Sequence, residues 1–309
     1  MRIKYYFFLL TLILGTVITF TACDDDDKLP HPNNGNDREN AVNENRNPTL
    51  NADWLRLEFP KVKNDGNSIV LIYTVPNFGV NFCVEWDCAK RAQRWSCYQM
   101  YDGNSGSSWK RNYWESTEWG GDPFQPDPNL RSDVRTELSD YYKSGYTRGH
   151  IVPSADRLNS KEANEQTYYL TNIQPQSWNF NGGIWLDMEN RMRDWNKSSF
   201  RKTLYVCKGG TIDNNNQIIE KTSSGLIVPK YFFMAVLCHQ PDNSYKAMAF
   251  WVEHTTQNKA GDNLANYIIN IHHLEQKTGI DFFCNLPDKI EEEVENQNVE
   301  DIKRDWGFK

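Results

Sequence analysis

Apolar side chains fall along this chain in three regimes. Residues 6–20 are almost wholly apolar, residues 24–53 carry hardly an apolar side chain, and from Trp54 onward short apolar runs alternate with turn residues. Within the third regime, Ser68–Tyr73, Phe82–Trp86, Trp95–Met100, Leu204–Cys207, Tyr231–Leu237 and Ala247–Val252 have the length and the β-branched or aromatic content of strands. Phe82–Trp86 and Trp95–Met100 alternate as half-buried strands do. Leu264, Tyr267, Ile268, Ile271 and Leu274 recur at helical spacing, which predicts an amphipathic helix over Asn263–Leu274. A second helix runs from Asn181 to Trp195: Ile184, Met188, Met192 and Trp195 form its apolar stripe, while Asn181, Trp185, Glu189 and Arg193 recur every four positions along an adjoining edge. The Gly-, Ser-, Pro- and Asp-rich stretch Asp102–Asn129 predicts a long loop. The acidic run Glu291–Glu295 reads as a solvated helix face or tail. Strands with a few helices place the chain in the α+β class, as a single domain over residues 54–309.

The first two regimes carry address and tether. Residues 1–22 read as a signal segment, with Arg2 and Lys4 ahead of an apolar run too short for a comfortable membrane span. Small residues ending in Cys23 resemble a bacterial lipobox, which implies a lipidated Cys23 and a membrane anchor made of acyl chains. The acidic run Asp24–Asp27 resembles the surface-export signal of some lipoproteins, so the expected location is the outer membrane of a Gram-negative bacterium, at the cell surface. Residues 23–53 are Asn-, Asp- and Pro-rich and cannot bury enough surface to offset their conformational entropy, so a disordered linker is expected there.

The formal net charge of −7 sits mostly outside the body of the domain: residues 55–279 hold 25 basic and 24 acidic side chains. A local basic groove is therefore permitted. Beyond Cys23 there are six cysteines, and an exported domain can pair them, but Cys207 and Cys238 lie in apolar runs that suit buried thiols equally. No Cys or His spacing matches a zinc knuckle. Trp109–Trp114 interleaves aromatics with Lys110 and Arg111, which suits either contact with bases and phosphates or simple loop packing.

The densest chemistry lies between Gly145 and Trp195. His150 follows Arg148-Gly149 at the start of an extended segment, where two positions of separation put Arg148 and His150 on one face. Histidine is the side chain best suited to take a proton near neutral pH. Hydrolysis of a phosphodiester needs an activated water, compensation for added negative charge and help for the leaving oxygen. A His base, arginines and a hard cation held by one amide oxygen supply these, and Mg²⁺ tolerates so few protein ligands because it keeps its waters.

Three ordered blocks carry a family resemblance. Thr147-Arg148-Gly149-His150, then Asn172-Ile173-Gln174-Pro175-Gln176, then Asn181, Trp185 and Glu189 with Arg193 beyond, resemble the DNA/RNA non-specific endonucleases of the ββα-metal, His–Asn class, whose signature is D-R-G-H, N-x-x-P-Q and N-x-x-x-W-x-x-x-E. The resemblance extends to Phe124–Pro128, Leu204–Gly209 and Leu274–Phe283. It implies a ββα-metal fold, with a central, mostly antiparallel sheet flanked by helices, and metal-dependent cleavage of DNA and RNA without sequence specificity. On that resemblance His150 is the general base, Asn181 the ligand of Mg²⁺ (or Mn²⁺), and Glu189 the group that orients the cation's waters. Arg148 and Arg193 contact the phosphate, and Asn172 fixes local geometry near His150. DNA and RNA are the implied partners, gripped by their backbones, and homodimer formation is a further expectation, since some such enzymes dimerise.

The first signature position departs from the pattern: Thr147 stands where the family has Asp. That departure keeps a second reading in play, a surface nucleic-acid-binding lipoprotein with weak or lost catalysis. A glycan-binding lipoprotein, suggested by eleven Trp residues, leaves the three blocks unexplained.

Overall fold

The computed structural model describes residues 46–47, 51–110 and 121–308, all within one compact unit, Glu39–Lys309. The expected signal segment 1–22, Cys23, Asp24–Asp27, most of the expected linker 23–53 and Arg111–Trp114 lie outside the described residues.

Seven strands form one antiparallel sheet. In chain order β1 (Ser68–Val75), β2 (Gly79–Asp87) and β3 (Ala92–Met100) are consecutive hairpin neighbours. The chain then leaves the sheet to build a two-stranded ribbon from β4 (Thr147–His150) and β5 (Ile173–Gln176), with α1 (Lys161–Gln166) between them. Next come α2 (Trp178–Phe180), a π-helical turn over Asn181–Trp185, and α3 (Leu186–Trp195). The chain re-enters the sheet through β6 (Thr203–Gly210). It then makes a second ribbon from β7 (Ile218–Lys221) and β8 (Ile227–Pro229), and completes the sheet with β9 (Tyr231–His239), β10 (Tyr245–Glu253) and β11 (Ile268–Ile269). Sheet order is β1-β2-β3-β6-β9-β10-β11. Three helices close the chain: α4 (Ile271–Thr278), α5 (Asp288–Glu295) and α6 (Val299–Asp305).

Alternation of side chains along each strand divides the core into two clusters. One gathers Phe82, Tyr98, Val206, Phe232, Met234 and Phe250 with Trp185, Met188, Met192 and Trp195. The other gathers Trp95, Phe233, Ala235 and Ala249 with Ile271, Leu274 and Phe282. With apolar groups on both faces, β2 from Asn81 onward and β3 except Gln99 are buried rather than half-buried. Their polar positions are matched instead of solvated: Arg94 reaches Glu85 at 3.3 Å and Asp213 at 2.6 Å.

Asn263–Leu274 is not one helix. A short 3-10 turn (Leu264–Tyr267) gives way to β11, where Ile268 pairs with Phe250, and α4 begins only at Ile271. Asn270 marks the break: extended at φ −77°, ψ 166°, it caps α4 at His273 N, while Asn263 caps only the start of the first turn, at Ala265 N. α5 is not simply a solvated face either, since Glu291 and Val294 are buried. At the other end, packing reaches back to Asn47. Its Nδ2 donates to the carbonyls of Trp54 and Pro60, each at 3.0 Å, and its Oδ1 accepts from Val62 N at 2.8 Å. Cys83, Cys88, Cys97, Cys207 and Cys238 are free thiols.

Candidate active site

The β4–β5 ribbon delivers His150. β4 ends at this residue rather than beginning there, with His150 opposite Ile173. Both Arg148 and His150 meet Phe124: the guanidinium sits 4.0 Å from the ring centroid, and the imidazole centroid lies 5.2 Å away. Tyr168 packs edge-on against the imidazole at 5.0 Å, and Trp185 Nε1 donates to the His150 carbonyl at 3.1 Å. Glycine is required at 149 because a Cβ there would lie 2.2 Å from the Gln176 Oε1 atom, whose side chain is buried beneath it.

The helical arm delivers Asn181, Glu189 and Arg193, though not as one continuous helix. Gly183 has φ −113° and ψ −115°, so Asn181 belongs to the turn before the bend and Glu189 and Arg193 to α3 after it. His150, Asn181, Glu189 and Arg193 nevertheless line one cleft of about 470 Å³, together with Pro153, Trp178 and Leu186. Arg148 and Asn172 are not among its lining residues. Arg148 pairs with Asp122 at 2.7 Å. Asn172 is fully buried and clamps the chain just past the histidine: its Oδ1 accepts from Val152 N, and its Nδ2 donates to the carbonyls of Val152 and Thr167, each at 2.9 Å.

Thr147 has a defined place in this arrangement. Its hydroxyl donates to the Gln176 carbonyl at 2.9 Å and accepts from Asn181 Nδ2 at 3.1 Å. With its amide nitrogen so occupied, Asn181 keeps Oδ1, the harder donor atom, for another partner. That donor suits a hard cation such as Mg²⁺ or Mn²⁺. Among the described residues, no group of three or more His, Cys, Asp or Glu side chains could form a metal cage, so a cation here would take few protein ligands.

Glu189 and Arg193 line the cleft, and each is paired with a charged side chain buried beneath it. Glu189 Oε1 lies 3.2 Å from Lys208 Nζ, and Arg193 Nη1 lies 2.8 Å from Asp156 Oδ1. Tyr98 donates its hydroxyl to Asp156 Oδ2 at 3.1 Å. Burial pushes the Glu189 carboxyl above its ordinary range, against the pull of the Lys208 ammonium. Burial likewise lowers Lys208, against the attraction of Glu189. Arg193 is held above its usual value because Asp156 outweighs the effect of burial. Lys208 and Asp156 escape sequence reading: a lysine beside an apolar run looks like a strand end, and Asp156 has no periodic partner.

The architecture has a solved counterpart. A structure of the EndoG/EndoGI complex, described as showing the mechanism of EndoG inhibition, aligns with a TM-score of 0.57 at 18% identity, over 70% of this chain and 86% of that one. The similarity in fold accords with the mostly antiparallel sheet and flanking helices of the ββα-metal class. Residues 62–289 match the DNA/RNA non-specific endonuclease family, and the chain belongs to that family.

Nuclease C1 of Cunninghamella echinulata var. echinulata is 30% identical over 172 residues, 53% of this chain and 67% of that protein. A nuclease of Nostoc sp. is 28% identical over 223 residues, 70% of this chain and 76% of that one. The mitochondrial nuclease EXOG of Xenopus laevis is 26% identical over 216 residues, 67% of this chain but only 58% of that relative's length.

Proposed function

We propose that this protein is a metal-dependent endonuclease that hydrolyses the phosphodiester bonds of DNA and RNA without sequence specificity. One observation carries the reading: His150, Asn181, Glu189 and Arg193, brought from a β-ribbon and two helical segments, line a single cleft.

His150 is the general base, its ring fixed between Phe124 and Tyr168 so that it can take a proton from an attacking water. Asn181 would hold a divalent cation, Mg²⁺ or Mn²⁺, which would supply Lewis-acid stabilisation of the charge added to phosphorus. Glu189, lining the same cleft, would orient that cation's waters. Arg193 and Arg148 offset negative charge on the phosphate, for which Arg148 must exchange its bond to Asp122. Asn172 acts through the backbone at Val152 and positions His150 without touching substrate. Backbone grip of this kind reads no bases, which accords with activity on both nucleic acids.

The test is cleavage of plasmid and RNA by the purified full chain with Mg²⁺, with EDTA, and in His150→Ala and Asn181→Ala. Cutting that needs the cation and is lost in both variants supports the assignment. A folded protein that binds DNA and never cuts with any of several divalent cations would instead be a surface nucleic-acid-binding protein.

Location is proposed from sequence alone: a lipid anchor at Cys23 on the outer membrane of a Gram-negative bacterium, facing outward. It is tested by palmitate labelling lost in Cys23→Ala. A homodimer is likewise proposed, to be checked by sedimentation.

A further inference from the structure

Lys208 is a costly residue to keep. It lies in β6, no part of its side chain is exposed, and its Nζ sits 4.7 Å from the Trp185 ring centroid and 3.2 Å from Glu189 Oε1. Taking an ammonium out of water is costly, and a well-packed apolar side chain avoids that cost. The sheet has apolar residues to offer on either side, Val206 and Phe232 among them. The lysine is therefore better explained by the carboxylate it meets than by packing.

That carboxylate is nearly buried, with its side chain 10% exposed, yet it lines the cleft. One oxygen is drawn back into the floor by the ammonium. Nearby, Asp156 is satisfied by Arg193 and Tyr98, and so has no claim on Lys208 by hydrogen bond. Two carboxylates and two cations thus balance to neutrality, and Lys208 belongs specifically to Glu189.

We propose that Lys208 is a positioning residue for the nuclease reaction. Its ammonium tethers one oxygen of Glu189, so that the carboxylate acts on the cation through water and does not collapse onto it. This inference rests on the nuclease reading above. It fixes opposite signs for two quantities. Without the ammonium the cleft gains a net negative charge and Glu189 is released toward the cation, so the cation binds more tightly. The water geometry needed for turnover is lost, so kcat falls. A lysine that served only the fold would alter stability and leave cation affinity where it was.

Mn²⁺ binding to the full chain, measured by calorimetry without nucleic acid, separates the two. Lys208→Gln removes the charge and, one bond shorter, withdraws the donor from Glu189, and Lys208→Arg keeps the charge. In Lys208→Gln that still melts cooperatively, Mn²⁺ is expected to bind about tenfold more tightly, with kcat about tenfold lower and KM within about twofold, the scale typical of groups that orient metal ligands. Lys208→Arg should restore both toward the wild-type values. Unchanged Mn²⁺ affinity in folded Lys208→Gln overturns the proposal.

Should Lys208→Gln not fold, Glu189→Gln is read instead. The unpaired ammonium then faces the cation and Mn²⁺ binding should weaken about tenfold or more, and unchanged affinity again overturns the assignment. A wild-type chain that neither binds Mn²⁺ nor cuts nucleic acid removes the nuclease reading itself, whereas a cutting wild type with unaltered variants removes only the role of Lys208.

Discussion

Asn181 donates its amide nitrogen to the hydroxyl of Thr147 at 3.1 Å, and that hydroxyl donates in turn to the Gln176 carbonyl at 2.9 Å. The two residues are 34 positions apart, on β4 and at the start of the π-helical turn. The residue that departs from the family signature is thus the one that fixes which atom of Asn181 is left for the proposed cation. Thr147→Val removes the acceptor at nearly constant volume and should raise the Mg²⁺ concentration needed for half-maximal plasmid cutting by about 10- to 100-fold. Thr147→Ser should stay close to wild type, and equal loss in both variants would disprove a role for the hydroxyl.

Asn172 makes three hydrogen bonds at 2.9 Å from a fully buried position. Asn172→Leu strands the Val152 amide and two carbonyls, and each buried group left unpaired costs about 1–3 kcal/mol. Chemical denaturation should therefore show a loss of several kcal/mol, with kcat reduced in the folded fraction because the His150 segment is released.

Trp178 is 79% exposed while lining the cleft, one helical turn before Asn181. An indole left in water beside the proposed phosphodiester site is placed to stack on a base, a contact of about 1–3 kcal/mol. Trp178→Ala should raise KM about tenfold on single-stranded substrate and less on duplex, with kcat nearly unchanged. Identical shifts on both substrates would argue against stacking.

The C-terminal helices should make stability depend on pH. Burial, with the charges of Glu275, Glu291 and Asp281 adding to it, pushes the Glu295 carboxyl up to about 9. Burial raises Glu275 to about 7 and Asp281 to about 6, the latter opposed by Lys61. In the unfolded chain these groups release their protons near pH 4, so the folded state binds protons more tightly. Their contribution is full below about pH 4 and is lost as pH rises through about 6 to 9. The melting temperature should fall over that window and fall less in Glu295→Gln. A Glu295→Gln profile that parallels the wild type would contradict this.

Strands with strong apolar runs were legible in the sequence because their periodicity survives burial on either face. β6, β9 and β10 fall where Leu204–Cys207, Tyr231–Leu237 and Ala247–Val252 predict them. The four-residue spacing from Asn181 to Arg193 also picks out residues that line one cleft, although the helix it implies is broken at Gly183. A glycine in a helical run costs too little to reveal whether the chain bends there. The partners Thr147–Asn181, Lys208–Glu189 and Asp156–Arg193 were not legible, because hydrogen bonds across 34, 19 and 37 positions leave no periodic trace. Asn263–Leu274 misled for a related reason: its apolar spacing fits a helix, and only the cap at Asn270 marks the break.

Cys83, Cys97 and Cys207 stand in register across β2, β3 and β6, buried and unpaired with one another by any covalent bond. Burial holds the Cys97 and Cys207 thiols far above their usual range, and thiols kept protonated are poor nucleophiles. Burial in the folded sheet thus shields these sulfurs from attack, and the same three become reactive neighbours when the strands part.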